Sequence, residues 1–401
     1  MADAAPVVVV GAGLAGLRCA QVLRDHGVDV VVLERAEHVG GRLHSFDVDG
    51  YRVDQGFQLV NPSYPELVAT GILGDLDLRP FERAVEVVSD GRRRVLADPL
   101  HHPRTLVDAT RLAPPTSWAR LAVLLARLRV TPAHRITAGA DGPTRDGLRR
   151  AGIDARLAEG LVRPFLRGVL LEDALDTSWA FTQLLAKSFE RGRPGTHPEG
   201  VEAVARALAA RSGVAVRLGT RVTAISAHAV ATDDATLTAR AVVVATDAHD
   251  AAALLGTADA RWRRQFTWWW STPRLVDGAR LRLDLDDPLT TSALDLASVA
   301  PERAPRGRSL VATPSLSGTP SDTERVRGRV ARLYDLATGD VELVTVTEVE
   351  RALPAVDPPL RTARSNRHDD LVLAGDHLST SSIQGALVSG RRAAATVLAG
   401  L

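Results

Sequence analysis

Three glycines and one acidic residue near the N-terminus are the residues whose types and spacing best fit ligand chemistry. Gly11, Gly13 and Gly16 follow a run of valines that ends at Val10, and Glu34 stands about 20 positions further on. The first glycine permits a tight turn, the second lets a pyrophosphate approach the backbone, and the third lets a helix pack close to a strand. A carboxylate at this spacing accepts hydrogen bonds from a ribose diol. The pattern therefore predicts a dinucleotide site.

A strand, a turn and a helix must position these residues. The valine-rich stretch 6–10 is typical of a parallel strand that is buried on both faces. Helical periodicity follows up to a C-cap at Gly27, and a second strand is predicted over 28–33. Leu14 and Ala15 lie in the glycine turn that leads into this helix and are predicted to contact the cofactor, whose phosphates are expected against the free N–H groups at the positive end of the helix.

A second glycine pair, Gly40 and Gly41, comes soon after the acidic residue and is followed by Arg42. The pair lets another stretch of backbone approach the cofactor, and a guanidinium can face a phosphate. Together with Glu34 and Arg35, this segment resembles the flavin amine oxidase and phytoene desaturase superfamily, in which the motif extends the dinucleotide fingerprint. The resemblance implies that the dinucleotide is FAD.

The end of the chain resembles the same superfamily. An apolar stretch ends in Gly375 and Asp376, and a helix opens near Ser382 and Ile383. The resemblance implies that the aspartate binds the ribityl chain or the pyrophosphate of FAD. It also implies that the helix directs its positive N-terminus at the pyrimidine side of the flavin.

Two inner segments complete the predicted cofactor site. A hairpin over 43–60 turns at Asp49-Gly50, and its end carries Gly56, Phe57 and Gln58, which the resemblance places beside the flavin ring. The strands that follow residue 220 resemble the superfamily's second contribution to the FAD domain. That resemblance assigns cofactor contacts to Val222 and Thr246.

The predicted fold class is α/β: a Rossmann-type FAD-binding domain, discontinuous in sequence, with an inserted α+β substrate domain. The FAD-binding domain is expected from 1–64, 191–258 and 356–401. The substrate domain is expected from 65–190, mostly helical, and from 259–355, mostly strands. A chain of 401 residues exceeds what one hydrophobic core usually supports, which favours more than one domain.

Composition excludes several classes of function. The 49 basic residues balance 48 acidic ones, so the basic surplus of a nucleic-acid-binding protein is missing. The single cysteine excludes iron–sulfur clusters and favours a reducing cytoplasm, and no secretory signal or long apolar stretch is visible. His101 and His102 lie near Asp98, but no third ligand has a suitable spacing. We therefore expect a cytoplasmic protein without a metal site; the oligomeric state is left open.

The resemblance also implies a reaction, in which FAD accepts a hydride equivalent at the flavin N5. Amine oxidases of the superfamily commonly hold a lysine near N5, but the only lysine of this chain, Lys187, lies outside the region that should supply it. A desaturase-like or dehydrogenase-like reaction on a lipophilic small molecule, with reoxidation by O₂ or a quinone, is therefore favoured. An amine oxidase that produces hydrogen peroxide and a non-catalytic FAD-binding protein are the alternatives. Gln58, His377 and Gln384 are candidate catalytic groups, with hydrogen bonding to the cofactor as the other role.

Three further segments have a structural interpretation, and for two of them a functional interpretation is open as well. Residues 118–130 have helical apolar periodicity with interspersed arginines, typical of a helix on its own core or of a surface that meets a membrane or a lipophilic substrate. The tryptophans within 266–270 predict core packing or an apolar substrate wall. A desaturase-type enzyme predicts a tunnel lined by parts of both segments. Asp284, Asp286 and Asp287 are interpreted as a solvated strand edge.

Overall fold

The computed structural model of the protein describes residues 5–97, 102, 105–275, 278–362 and 365–401. The strands in these ranges are β1 (Val7–Val10), β2 (Val30–Leu33), β3 (Ser45–Val48), β4 (Tyr51–Asp54), β5 (Arg79–Pro80), β6 (Ala84–Ser89), β7 (Arg92–Ala97), β8 (Gly195–Thr196), β9 (Ala215–Arg217), β10 (Val222–Ser226), β11 (Ala229–Thr232), β12 (Thr236–Thr238), β13 (Ala241–Val244), β14 (Trp262–Pro273), β15 (Leu281–Asp284), β16 (Leu294–Asp295), β17 (Arg308–Ser315), β18 (Glu342–Pro354), β19 (Arg367–His368) and β20 (Leu371–Leu373). The α-helices are α1 (Leu14–Asp25), α2 (Pro65–Ala69), α3 (Leu106–Leu112), α4 (Pro115–Val130), α5 (Ala133–Thr137), α6 (Thr144–Arg150), α7 (Ala155–Leu157), α8 (Arg163–Leu170), α9 (Trp179–Arg191), α10 (Glu202–Ser212), α11 (Ala248–Leu255), α12 (Thr323–Tyr334) and α13 (Ile383–Leu398).

A six-stranded sheet in the order β19-β20-β13-β1-β2-β9 forms the first layer of the structure. All of its pairings are parallel except that of β19 with β20. The central strand β1 is buried along its whole length, as its valine run predicts. The strands come from three stretches of chain that lie far apart in sequence, and helices α1, α10 and α13 cover one face of the sheet.

The parallel arrangement brings four loops to one edge of this sheet. Gly11 follows β1, Glu34 follows β2, Thr246 lies shortly after β13 and Gly375 lies shortly after β20. Because parallel strands end at the same edge, residues from the two ends and the middle of the chain meet there. The sheet thus provides a crevice at its carboxyl edge.

Buried charges fasten the helices above this sheet to one another. Glu66 of α2 lies 2.7 Å from the guanidinium of Arg18 in α1 and 2.8 Å from that of Arg391 in α13. The carboxylate is buried, so it needs both partners to offset the loss of hydration. This one side chain therefore adds a charged link between α1 and α13, which also pack directly on each other.

A second sheet, in the order β16-β17-β14-β18, is antiparallel and carries the tryptophan cluster. The indole rings of 268–270 are fully buried. Their N–H groups donate to the hydroxyl oxygens of Thr323, Thr347 and Thr313. A buried indole that finds a hydrogen-bond acceptor in this way is a packing element. The core interpretation of these tryptophans is therefore confirmed.

The expectation of a solvated edge at the aspartates at the end of β15 and just after it is wrong for two of the three. Asp284 and Asp287 are buried and pair with Arg329 and Arg325 of α12. Burial would raise the pKa of Asp287, but the hydrogen bonds from Arg325 outweigh it and lower that pKa. Asp286 is exposed, as predicted. The charges anchor α12 to the strand, which a local sequence pattern does not reveal.

The remaining helices, α3 to α9, form a mostly helical region that carries the β6–β7 hairpin, which turns at Asp90-Gly91. Of the helices within the described ranges, none combines the length and the apolar character needed to span a bilayer.

A fully buried ion pair joins the hairpin β3–β4 to the segment that follows β16. Arg303 and Asp54 are both inaccessible to solvent, and their nearest charged atoms lie 2.9 Å apart. The two groups interact as an ion pair, because the contact between their nearest atoms does not meet the geometry of a hydrogen bond. Arg303 also donates to the hydroxyl of Thr196, and Asp54 accepts from Ser45 and from the backbone of Val201.

We predict that Arg303→Met lowers the free energy of unfolding by about 3–5 kcal/mol, because it leaves the Asp54 carboxylate buried without its cation. Urea denaturation followed by circular dichroism measures the effect. Arg306→Met is the matched control, since Arg306 is exposed in the same segment and its loss should change stability by less than about 0.5 kcal/mol. Equal stability of the two variants would contradict the prediction.

Candidate cofactor and substrate site

One cavity of about 1010 Å³ opens at the carboxyl edge of the six-stranded sheet and extends into the helical region. Most of the residues predicted to contact the cofactor line it. These residues are Gly11, Gly13, Leu14, Ala15, Glu34, Arg35, Gly40, Gly41, Arg42, Phe57, Gln58, Val222, Thr246, Gly375, Asp376, Ser382 and Ile383.

Two of the glycines predicted to contact the cofactor, Gly16 and Gly56, do not line the cavity. Gly16 does not line the cavity; a side chain there would collide with the carbonyl of Gly11, so it lets α1 pack against the turn, as predicted. Gly11 itself has φ +106°, and a Cβ at this position would lie 2.8 Å from the carbonyl oxygen of Ala245. Gly56 also lies outside the lining, whereas its neighbours Gln55 and Phe57 belong to it.

The carboxylate of Glu34 is fixed by two backbone donors. Oε2 accepts from the N–H of Ala12 at 2.7 Å, and Oε1 accepts from the N–H of Ala36 at 2.9 Å. Each oxygen has a further lone pair available for the hydroxyl of a ribose. The geometry suits the role that the spacing predicts.

Arg42 and Asp376 meet across the cavity wall. Nη2 of Arg42 lies 2.6 Å from Oδ1 of Asp376, and Nη1 donates to the carbonyl of Ala352 at 3.0 Å. Burial lowers the pKa of Arg42, but the carboxylates of Asp376 and Asp247 outweigh burial and raise it above its usual value. The amide of Gln58 donates to the backbone carbonyl of Arg42 at 3.0 Å and so supports the loop.

Arg351 is a lining residue that the sequence analysis missed. It belongs to β18, has no neighbouring motif, and was assigned to the substrate domain, so no local signal marks it. Its Nε is buried without a hydrogen-bond partner in the described part of the chain and lies 3.5 Å from the carboxylate of Asp247. A buried N–H without an acceptor is the kind of group that an anionic ligand satisfies.

The N-terminus of α1 offers a second set of donors for an anion. No described side chain caps this helix end, and its first turn contains no acidic residue. The free N–H groups therefore face the cavity beside Gly13, where an added Cβ would meet no atom within 4 Å. These donors, the cation of Arg351 and the carboxylate of Glu34 fit the pyrophosphate and ribose of FAD.

One part of the cavity has mostly apolar walls. Side chains of α8, α9 and β15 form its walls: Phe165, Val169, Phe181, Leu185, Phe189, Leu281 and Leu283. We call this part the apolar chamber. The expected tunnel of residues from 118–130 and 266–270 is wrong, since none of these residues lines the cavity. The first segment packs behind the wall, and the tryptophans belong to the core of the second sheet.

Polar residues also line the cavity beyond the cofactor motifs, among them Glu82, Arg83, Thr291, Glu348 and Glu350, and Tyr64 is one that the sequence pattern does not reveal. Burial raises the pKa of its phenol to about 12, and no described residue hydrogen-bonds the hydroxyl. The neutral hydroxyl can donate a hydrogen bond to a bound molecule. Gln265, also missed, lines the cavity with its amide tied to the backbone carbonyl of Phe57 at 3.3 Å.

Of the three candidate catalytic groups, the structure brings only Gln58 to the cavity. Gln384 and His377 lie outside its lining. The side-chain oxygen of Gln384 accepts a hydrogen bond from the backbone N–H of Glu66 at 3.0 Å, so it serves the start of α2. This position favours a structural role for Gln384.

His38, His44 and Glu202 are the described residues whose potential metal-ligand atoms lie within 4.8 Å of one another. The imidazole rings are stacked, with centroids 3.6 Å apart and planes inclined by 12°. Lone pairs in parallel planes do not converge on one ion, and Nδ1 of His44 already pairs with Glu202 at 2.7 Å. The absence of a metal site stays a prediction; Asp98 and His101, considered for this role, lie outside the described residues.

Comparison with known proteins agrees with this geometry. The sequence profile of the family described as flavin containing amine oxidoreductase matches residues 14–398. Putrescine oxidase of Kocuria rosea is 41% identical over 92 residues, which are 22% of this chain and 19% of that protein. Carotenoid 3,4-desaturase of Haloarcula japonica is 50% identical over 50 residues, or 12% of this chain and 10% of the relative. The chain thus matches well under two thirds of either relative's length.

A solved structure shows the fold over the whole chain. The crystal structure of an oxidoreductase from Methanosarcina mazei aligns with a TM-score of 0.72 at 15% sequence identity, and covers 98% of this chain and 100% of the other. The chain belongs to the flavin containing amine oxidoreductase family, a family of FAD-dependent oxidoreductases. FAD is therefore its cofactor, as the three separated motifs predict.

We predict that Arg42→Met weakens FAD binding about 10- to 100-fold, because it removes both the cation and the partner of Asp376. Titration of the apoprotein with FAD, followed by flavin fluorescence, measures the affinity. Arg92→Met is the control, since Arg92 is exposed on the β6–β7 hairpin and lies outside the cavity lining. Wild-type affinity in the Arg42 variant would exclude a role for this residue at the cofactor.

Proposed function

We propose that the protein uses FAD to remove a hydride equivalent from a lipophilic small molecule in a desaturase-like or dehydrogenase-like reaction. The observation that carries the proposal is the apolar chamber, which is continuous with the residues that line the cofactor part of the cavity. A chamber walled by phenyl and aliphatic side chains favours apolar ligands, because it gains free energy from the apolar area it removes from water. Carotenoid 3,4-desaturase among the relatives supports the same substrate class.

The position of Lys187 supports this choice over amine oxidation. Its Nζ donates to the backbone carbonyls of Leu128, Arg129 and Thr131 at the C-terminal end of α4. The sequence has no other lysine, and Lys187 does not line the cavity, so no lysine ammonium group faces it. Burial and the charge of Arg191 lower the pKa of Lys187, but three carbonyl acceptors hold its ammonium group in place.

The residues of the chain have binding and positioning roles in the proposed reaction. FAD, when bound, supplies the acceptor for the hydride equivalent and is reoxidised by O₂ or a quinone. The walls formed by Phe165, Val169 and Phe189 exclude water and orient the substrate carbon. Tyr64 and Gln58 are polar groups that can hydrogen-bond the cofactor or a polar end of the substrate.

We further propose that the cofactor domain is discontinuous, with boundaries as the sequence predicts and with the substrate domain inserted. The strand order of the six-stranded sheet supports the proposal, since it combines strands from before residue 64, from 191–258 and from beyond 356. The single cysteine supports a cytoplasmic location.

Flavin amine oxidation is the second candidate, and the similarity to putrescine oxidase favours it. An amine oxidase would bind a cationic or basic substrate, for which Glu82, Glu348 and Glu350 in the lining of the same cavity offer carboxylates, whereas the residues of the apolar chamber offer none. A non-catalytic FAD-binding protein would need no apolar chamber beside its cofactor. Both alternatives have distinct experimental signatures.

We predict that a lipophilic polyene bleaches the flavin of the FAD-loaded protein under anaerobic conditions, whereas putrescine and other amines do not. Stopped-flow absorbance of the flavin measures the reduction. Bleaching by an amine, with hydrogen peroxide released on admission of O₂, would establish the amine oxidase instead. Failure of every lipophilic compound and every amine would favour the non-catalytic alternative.

A variant of the chamber gives an independent test. Val169→Trp should slow flavin reduction by the polyene at least about tenfold, because the indole fills the space of the substrate. FAD content and reduction by dithionite should be unchanged, since the cofactor contacts lie elsewhere. Leu218→Trp, at an exposed position outside the cavity, is the matched control. An equal rate in all three proteins would show that the chamber does not hold the substrate.

A further inference from the structure

Helix α4 has two apolar faces, of which only one is covered. Leu121, Leu124 and Leu128 face the interior and pack with residues of the helical region, including α9. On the opposite side, Val123 is 68% exposed and Val130 is 76% exposed. A helix of a globular domain normally turns charged or polar residues to solvent on this side.

The outer face forms a continuous apolar stripe. Successive helical residues are about 100° apart, so Ala119, Val123, Ala126 and Val130 fall within about 60° of the helix circumference. All four are exposed. We call these residues, together with the exposed Leu106 and Val107 of α3, the α3–α4 surface. Of the eight large hydrophobic residues that are exposed in the described ranges, four belong to it.

Arginines border the stripe on both sides. By the same helical geometry, Arg120 and Arg127 lie about 80–100° to one side and Arg129 lies about 80° to the other. No described carboxylate pairs with any of the three, and α4 contains no acidic residue. From 105 to 135 the sequence has five arginines and one acidic residue, Asp108, although the whole chain is nearly neutral.

This pattern matches one occupant. An apolar stripe between arginines suits a bilayer with anionic headgroups, because the stripe enters the acyl boundary while long cationic side chains reach the headgroups. A second copy of the chain fits less well, since arginines would face arginines with no carboxylate between them. We propose that the α3–α4 surface docks the protein on an anionic lipid bilayer.

The helix is held in a fixed position for such a contact. Lys187 binds three carbonyls at its C-terminal end, and the indole N–H of Trp118 donates to the carbonyl of Ala109 in α3 at 2.8 Å. Trp118 and Phe165 belong to the same apolar cluster, and Phe165 also lines the apolar chamber. The same apolar cluster therefore extends from α4 to the chamber wall. Docking itself does not depend on the reaction proposed above.

Flotation of the full-length, FAD-loaded protein with vesicles tests the proposal. We expect binding to vesicles of phosphatidylcholine with phosphatidylserine, and at least about tenfold weaker binding to phosphatidylcholine alone. The double variant Val123→Glu/Val130→Glu should bind the anionic vesicles at least about tenfold more weakly, because it places charges in the stripe. Arg127→Gln/Arg129→Gln should lose most of the preference for anionic lipid. FAD content and melting temperature should not change in either variant, since these side chains are exposed.

Leu218→Glu/Leu343→Glu is the matched control, since it adds the same charges at exposed leucines outside the α3–α4 surface. This control should bind vesicles like the wild type. Absence of wild-type flotation, or equal loss in the control, would overturn the proposal. It would also be overturned if light scattering showed a dimer that the Val123/Val130 variant dissociates, because the surface would then be an interface between copies.

Discussion

The ion pair between Arg42 and Asp376 is the interaction on which the rest of the cofactor site depends. It joins residues separated by 334 positions, at 2.6 Å. A buried charge of this kind is tolerated only with its partner in place, so the loop after β2 and the segment after β20 must come together. Their meeting closes the carboxyl edge of the six-stranded sheet. The same edge then presents the free N–H groups of α1 and the carboxylate of Glu34 to one ligand.

Other buried charges apply the same constraint elsewhere. Glu66 ties the first helix to the last through Arg18 and Arg391, and the pair of Asp54 with Arg303 ties the β3–β4 hairpin to the segment after β16. Each pair costs hydration, and each requires a definite approach of two distant segments. The apolar cores supply the driving force for folding, whereas these pairs specify which segments face one another.

The cavity combines two environments that suit two parts of one reaction. Its sheet side offers backbone donors, arginines and carboxylates, which suit the charged and hydroxylated parts of FAD. Its helical side offers phenyl and aliphatic walls, which suit the apolar substrate proposed above because such walls exclude water. The sole lysine stands outside this space and stabilises the end of α4. The helix it holds is the one whose outer face carries exposed valines and arginines that pair with no described carboxylate, so the apolar chamber and the proposed docking surface share one helical region.

The sequence by itself determined the strand–turn–helix at the N-terminus, the glycines and Glu34 of the dinucleotide motif, and the family, because these depend on local backbone requirements that only certain residues meet. Gly11 and Gly16 are such residues, since no side chain fits there. Only the tertiary structure decided that Arg351 faces the cofactor part of the cavity and that Gln384 does not. It also decided that Asp284 is buried and that the walls of the chamber come from α8 and α9 instead of 118–130. The physical reason is that burial and pairing arise between segments distant in the chain, which no local pattern records.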